Sequence, residues 1–476
     1  MKTIRIDGTL YDISNFKHPG GSVIEYAGQG KVDDAGDAFR EFHARSTKAD
    51  KILSSLPKVT TPESYNNQTD FDPTATAITT DFRDMRKQLE TMGCFEPDYI
   101  HVYFRLLELA FFFGLGVFLV PYNIYASMLA FIAFKTRCGW VQHEGGHLSL
   151  TGVKSIDRGI QVVTLGFGGG ASSTLWNSMH HKHHAAPQRV NYDIDLDTTP
   201  FVAFFKGAIE NSNRTTVSQT CSKLVEKIAC IWMRMQAWFF LPVTNGILVH
   251  FFWTYYLHPQ RAFRAAKKDK TSLAILELVA IAASHVVIPS IFYTRAPAHA
   301  DVSIFYCYFL LMVCNAFNFM YLFGHFSLSH TFTNVVPENQ SLKWFEYAIQ
   351  HSVNISTQSP LVTWGMGYLN FQIEHHLFPS MPQYKNAIAA PYVKEFCKRW
   401  PKNQYMEVDY WTAWKKMFKN LNDTGIHYYR NGFKCGDLQN LANISQQTET
   451  LETETTNVKS DSEEEYESEF DKLKLD

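Results

Sequence analysis

"FQIEHHLFPS", residues 371–380, places Gln372, His375 and His376 at i, i+3 and i+4. On a helix that spacing brings all three side chains to one face. Two adjacent imidazoles behind a glutamate suit a metal ion, and the glutamine stands where a third histidine would serve. The reading of the whole chain turns on whether other segments complete this half-built ligand set.

Two other segments do. "HEGGH" carries His143 and His147 at i and i+4, and "MHHKHH" repeats the i, i+3, i+4 face with His180, His183 and His184 while His181 is turned away. Imidazole suits Fe, Zn, Cu or Ni, and seven aligned rings exceed what one four-coordinate zinc uses. Two transition-metal ions sharing the set is the economical reading. "HEGGH" also matches the zincin HExxH pattern, in which the glutamate is a general base. Against that, glycines at 145 and 146 inside a helix each cost about 1 kcal/mol relative to alanine, and two histidine clusters would be left unused.

Apolar runs bracket these clusters. Residues 103–121 and 122–134 form a candidate helical hairpin turning near Pro121, which Lys135 and Arg137 are expected to end on the cytosolic side. Runs at 272–294 and 303–324 form a second hairpin, with the basic stretch 259–270 before it. An even number of crossings must separate clusters that share one membrane face. The run 233–256, which carries Arg234, Pro242, Asn245 and His250, is therefore assigned as interfacial or re-entrant, giving four crossings. Composition agrees: 46 % hydrophobic and 15 % aromatic residues coexist with a mean hydropathy of only -0.18, as expected of membrane segments averaged with polar parts. A net charge of -2 gives no basic field for nucleic acid. Eight cysteines without a CxxC pair read as reduced thiols. The N-terminus has no long apolar run, so no signal peptide is expected.

Residues 1–55 read as a small separate unit. "TIRIDGTLYDIS" alternates like a strand pair with Gly8 in the turn, and "HPGG" at 18–21 precedes "DAFREFH" ending at His43. His18 and His43 suit bis-imidazole haem ligation, or a purely structural role. Glu25, Asp33, Asp34, Asp37 and Glu41 form an acidic face that would steer a basic electron donor, or are simply solvated. Residues 56–80 read as a Thr/Pro/Asn-rich linker, 81–435 as the membrane domain, and 436–476 as an acidic disordered tail. In that tail Ser460 and Ser462 each precede a glutamate by three residues, and "KLKLD" resembles a dilysine retrieval signal of the endoplasmic reticulum.

Taken together, "HPGG…AFREFH" resembles the fused cytochrome b5 domain, and "HEGGH", "HHKHH" and "QIEHH" resemble the three histidine boxes of membrane fatty acid desaturases. The glutamine that opens the third box, together with the fused haem domain, resembles the front-end desaturases. Finer stretches such as "KHHAAPQ" and "NFQIEHHLFPSMPQ" are similar to algal and protist delta-6-type enzymes. The resemblance implies a mostly α fold: a four-crossing helical membrane desaturase with a cytosolic histidine-box cap, plus a small α+β cytochrome b5-like haem domain trimmed at its N-terminus.

By position, the resemblance makes His18 and His43 the axial ligands of heme b. It gives two iron ions to His143, His147, His180, His183, His184, His375 and His376, with His330 recruited as a further ligand ahead of His325. Gln372 becomes a weak ligand or orienting residue, and Glu144 and Glu374 partners for ligand N–H groups. Asp193, Asp195 and Asp197 either do the same or cap turns. His101, His258, His299 and His427 are read as non-ligands, and His181 departs from the usual Asn. The implied activity is O2-dependent front-end desaturation of a polyunsaturated acyl chain, delta-6 first, carried on acyl-CoA or phospholipid. NADH-cytochrome b5 reductase would supply electrons, in the endoplasmic-reticulum membrane with both termini cytosolic. Alternatives on the same scaffold are a delta-4, delta-5 or delta-8 position, a sphingolipid delta-8 desaturase, or acyl hydroxylation. A membrane haem protein that only relays electrons would leave the boxes idle.

Overall fold

The computed structural model describes residues 2–24, 34–59, 73–189, 193, 202–205, 223–297, 302–336 and 342–431. In it the first two apolar runs form the expected hairpin, Tyr99–Leu119 and Ile124–Gly146. Side-chain caps open both helices: Asp98 accepts from the Ile100 N–H, and Asn123 from those of Tyr125 and Ala126. Ser127 Oγ donates to Gly116 O at 2.7 Å across the hairpin.

Lys135 and Arg137 do not end the second helix, contrary to the sequence reading. Both are buried. Lys135 Nζ donates to Gly168 O at 2.9 Å, and Arg137 Nε to Glu108 Oε2 at 2.8 Å. Charges taken out of water need such partners. Satisfied by them, the helix runs on to Gly146 and carries His143 at its C-terminal end.

Among the described residues, four helices are long and apolar enough to cross a membrane: Tyr99–Leu119, Lys227–Asp269, Ser272–Arg295 and Ile304–Leu328. The count matches the expected four, but the membership differs. Residues 233–256 lie within one continuous helix rather than a re-entrant loop, with π-helical turns at Phe240–Val249 and Trp253–Leu257. Pro242 sits in the first of these, where its missing N–H leaves a gap in the hydrogen-bond ladder. Val120, Met128 and Phe131 pack the first hairpin against Ile288, Phe292 and Leu310 of the second, with Phe131 and Phe292 edge to face at 5.5 Å. Phe111, Phe118, Val279, Val286 and Phe305 remain exposed on these helices, as lipid-facing residues are.

The chain divides into two compact units. One comprises Met1–Leu196 with Ala237–Asn420, and so includes the N-terminal segment. There Thr3–Ile6 and Thr9–Asp12 pair antiparallel, Ile4 opposite Tyr11, around an Asp7-Gly8 turn in which both residues have positive φ. The segment extends past residue 55: Val59 N donates to Leu10 O, and Asp12 N to Pro57 O. At the other end of the expected linker, Pro73 opens the helix Pro73–Thr91 at the position where its missing N–H costs nothing. The other unit is Asp197–Gln236 with Leu421–Asp476. In it the Gln236 side chain bonds Ala203 N, Ala203 O and Leu421 O, and Ala203, Met233 and Tyr428 form its apolar core. The remaining linker residues, the tail beyond 431, Glu25, Asp33, Asp195, Asp197 and His299 lie outside the described residues. Cys94, Cys138, Cys307, Cys314 and Cys397 are free thiols.

Candidate metal centre

Close helix packing explains the glycines of the first box. A Cβ on Gly145 would lie 2.7 Å from Asp157 O, and one on Gly146 would lie 2.3 Å from the Trp176 ring. The two glycines let the helix Lys154–Val163 and the second-box helix Ser173–Ala185 approach His143 and His147 directly. Ser172 caps the second-box helix by accepting from Leu175 N, while Ser172 N donates to His258 Nδ1 at 2.8 Å. Trp176 then stacks on His180 with ring centres 4.3 Å apart. The third box is one short helix, Gln372–Leu377, held by Ile373 and Leu377 in a core with Phe82, Phe345 and Phe378.

The eight histidines expected as metal ligands converge in two groups. His143, His147, His180, His184 and His375 form one, and His183, His330 and His376 the other, each with donor nitrogens within 4.8 Å of one another. Within them the Nε2 atoms of His143 and His180 lie 3.0 Å apart, those of His184 and His375 3.1 Å, and those of His183 and His330 3.3 Å. Ligands on one ion with metal–nitrogen bonds of about 2.0–2.1 Å stand about 2.9–3.4 Å apart, depending on the angle between them. The donor set therefore fits two neighbouring metal ions. His147 Nε2 and both ring nitrogens of His376 are buried without a hydrogen-bond partner among the described residues, which a metal ligand would explain. Burial, reinforced by neighbouring imidazoles, holds His143, His147, His184, His330, His375 and His376 well below the usual histidine range. That direction favours the neutral imidazole, the form that ligates a metal.

Partners on the far ring nitrogens aim the near ones. His183 Nδ1 meets Asp193 Oδ2 at 2.9 Å, and His330 Nδ1 donates to His351 O at 2.9 Å. Of the alternatives open for Asp193, the geometry favours the ligand N–H over a simple turn cap, although it also accepts from Gln188 N. The Gln383 side-chain amide lies 2.5 Å from His143 Nδ1. With its oxygen turned toward that nitrogen it accepts the ring proton and frees Nε2 for a metal. No spacing in the sequence marks Gln383, which contacts His143 only through the tertiary fold. Gln372 belongs to the smaller group, its amide 3.0 Å from His330 Nε2.

Glu144 and Glu374 correct the sequence reading. Neither meets a ligand N–H: Arg105 Nη2 donates to Glu144 Oε1 at 2.9 Å, while Asn354 and Tyr405 donate to the two oxygens of Glu374. Burial pushes the Glu374 carboxyl up to about 7. His325 stands apart from both groups, bonded to Tyr321 O and Tyr410 Oη. His101 stacks on Tyr384, and His427 bonds Asn431.

In the N-terminal segment His18 and His43 face each other with ring centres 5.9 Å apart. Two imidazoles bound trans to one metal through bonds of about 2.0 Å place their ring centres about 6 Å apart. His43 Nδ1 donates to Phe39 O at 2.8 Å, which leaves its Nε2 lone pair free. A Cβ on Gly20 would lie 2.9 Å from the His18 ring, so glycine is needed there. Burial and the neighbouring His43 lower His18 to about 4. The pair fits a haem. The acidic face expected beside it is otherwise engaged. Asp34 accepts from the backbone of Asp7, Gly8 and Gly36, Asp37 pairs with Arg83, and buried Glu41 pairs with Arg86.

Comparison with known proteins agrees with the site. The family model described as fatty acid desaturase matches residues 118–406, a span that contains all eight histidines. An acyl-lipid (8-3)-desaturase of Thraustochytrium sp is 37 % identical over 438 residues, covering 89 % of this chain and 92 % of its own. A protein of the same name from Rebecca salina is 37 % identical over 425 residues, covering 89 % and 91 %. With its apolar helices and buried histidine boxes, this chain is a membrane oxidoreductase that belongs to the fatty acid desaturase family.

Proposed function

We propose that the chain carries out O2-dependent front-end desaturation of a polyunsaturated acyl chain, fed with electrons by NADH-cytochrome b5 reductase through a heme b on His18 and His43. The observation that carries this reading is the five-and-three division of the imidazoles, with Gln372 beside the three. The overall change removes one hydrogen from each of two adjacent methylenes. With O2, two electrons and two protons it yields one double bond and two waters.

Bound at the two groups, a pair of irons would supply the O2 chemistry needed to break unactivated C–H bonds, which no acid or base of the chain can do. His143, His147, His180, His184 and His375 would hold one ion, and His183, His330 and His376 the other. Asp193, the His351 carbonyl and Gln383 fix the rings by holding protons on their far nitrogens. The buried shell of Ile373, Leu377 and Phe378 keeps bulk water from the site.

The names of the relatives support an acyl-lipid carrier. For the position, the stretches similar to delta-6-type enzymes favour delta-6, while both relatives are named (8-3)-desaturases. The chain would reside in the endoplasmic-reticulum membrane with both termini cytosolic, a placement that rests on the cytosolic electron donor. Expression in yeast fed linoleate or alpha-linolenate tests the reading. A new double bond between the carboxyl end and the existing bonds supports front-end action, and its mapped position tests delta-6. New unsaturation only on the methyl side would overturn the assignment. Labelling that appears first in phospholipid rather than in acyl-CoA supports the acyl-lipid carrier.

A further inference from the structure

His181 is the one histidine of the second box that belongs to neither metal group. Its ring lies 6.1 Å from that of Phe42 on one side and 6.1 Å from that of His147 on the other. Phe42 precedes His43 and closes the helix Gly36–His43 against the catalytic body, also meeting Trp344 edge to face at 5.3 Å. One face of that helix is clamped. Arg83 Nε donates to Asp37 at 2.8 Å, Arg86 Nε to Glu41 at 2.5 Å, and Arg45 reaches the carbonyls of Phe95 and Ser380. Asp37 and Glu41, read from the sequence as a steering face for a donor, thus hold this segment through Arg83 and Arg86.

We propose that His181, with Phe42, forms the contact through which electrons pass from the haem segment to the metal centre. This rests on the reading of His18 and His43 as haem ligands and of the boxes as iron ligands. Each passage moves one electron, taking the haem iron from ferrous to ferric and one iron of the centre from ferric to ferrous. Two passages supply the two electrons consumed per double bond. His181 is a positioning residue: its imidazole fills the space between Phe42 and His147, which an aliphatic side chain would leave without a bridging ring. A parallel contact through Trp344, whose Nε1 donates to Leu377 O beside His376 at 3.0 Å, is the competing route.

The test uses the full chain in membranes and follows the haem absorbance rather than product alone. For His181→Leu, reduction of the haem by NADH and the reductase should match the wild type. Re-oxidation of the reduced haem, with O2 and substrate present, should slow about tenfold, equivalent to about 1.4 kcal/mol in barrier. His181→Phe should recover most of that rate. A single turnover after direct dithionite reduction of the metal centre should give wild-type product from His181→Leu. Unchanged re-oxidation in His181→Leu, or slowing in Trp344→Leu alone, would overturn the route. Loss of the dithionite-driven turnover would also overturn it, because His181 would then serve the centre itself. A wild-type chain without haem absorbance would overturn the haem reading and this route with it.

Discussion

The side-chain amide of Gln372 lies 3.0 Å from His330 Nε2, within the group of three imidazoles rather than the group of five. The glutamine therefore stands at the group that offers fewer histidines. Its oxygen would complete or orient the weaker shell. Loss of such an outer partner costs about 10–100-fold in metal affinity. Gln372→Ala should lose non-haem iron on dialysis against a chelator, from two ions per chain toward one, while the haem absorbance stays. Iron analysis beside the haem spectrum reads this, and full retention of both ions would refute a role in holding metal.

Asp193 makes the same kind of contribution to His183. Asp193→Asn keeps the size of the side chain but removes the carboxylate that holds the Nδ1 proton. Iron affinity should fall by about 10–100-fold, and turnover should be partly rescued by excess ferrous iron during expression. Asp193→Asn that binds iron as tightly as the wild type would reduce Asp193 to its contact with Gln188 N.

How far these sites could be read in advance depends on distance along the chain. Ligands spaced i, i+3 and i+4 declare themselves because one helix presents them together. His330 enters only through the resemblance, as a further histidine between the second and third boxes. Gln383 meets His143 from 240 residues away, and nothing local to it signals that contact. Lys135 and Arg137 differ from the sequence expectation for the same reason. A charge after an apolar run usually marks a loop, but here Gly168 and Glu108 satisfy both charges within the fold. Asp37 and Glu41 read as a free acidic face because Arg83 and Arg86, which pair with them, lie more than 40 residues downstream, although Arg40 also bonds Asp37 from within the same helix at 2.8 Å.

Gly146 tests the packing of the first box. A methyl group there would meet the Trp176 ring at 2.3 Å and the Gln161 amide at 2.8 Å. Overpacking of this kind costs about 1–3 kcal/mol. Gly146→Ala should lower the thermal midpoint and weaken iron retention, since Trp176 stacks on His180. Adding Trp176→Leu removes the ring atoms that clash and should restore part of the stability. No recovery in the double variant would mean that the clash is not the cause.

Arg105 and Glu144 form a buried ion pair at 2.9 Å, each side chain under 5 % exposed. Its desolvation cost is offset only while both partners are present. Arg105→Leu leaves the Glu144 carboxylate, one residue from His143, without its cation and should destabilise the fold by about 3–5 kcal/mol. Glu144→Gln in the same chain removes the stranded charge, so the double variant should be more stable than Arg105→Leu alone. Thermal unfolding in detergent, followed by tryptophan fluorescence, measures both. Because Glu144 has no contact with a ligand N–H, the double variant should also keep its iron. Iron loss in a stably folded double variant would place Glu144 in direct support of the centre.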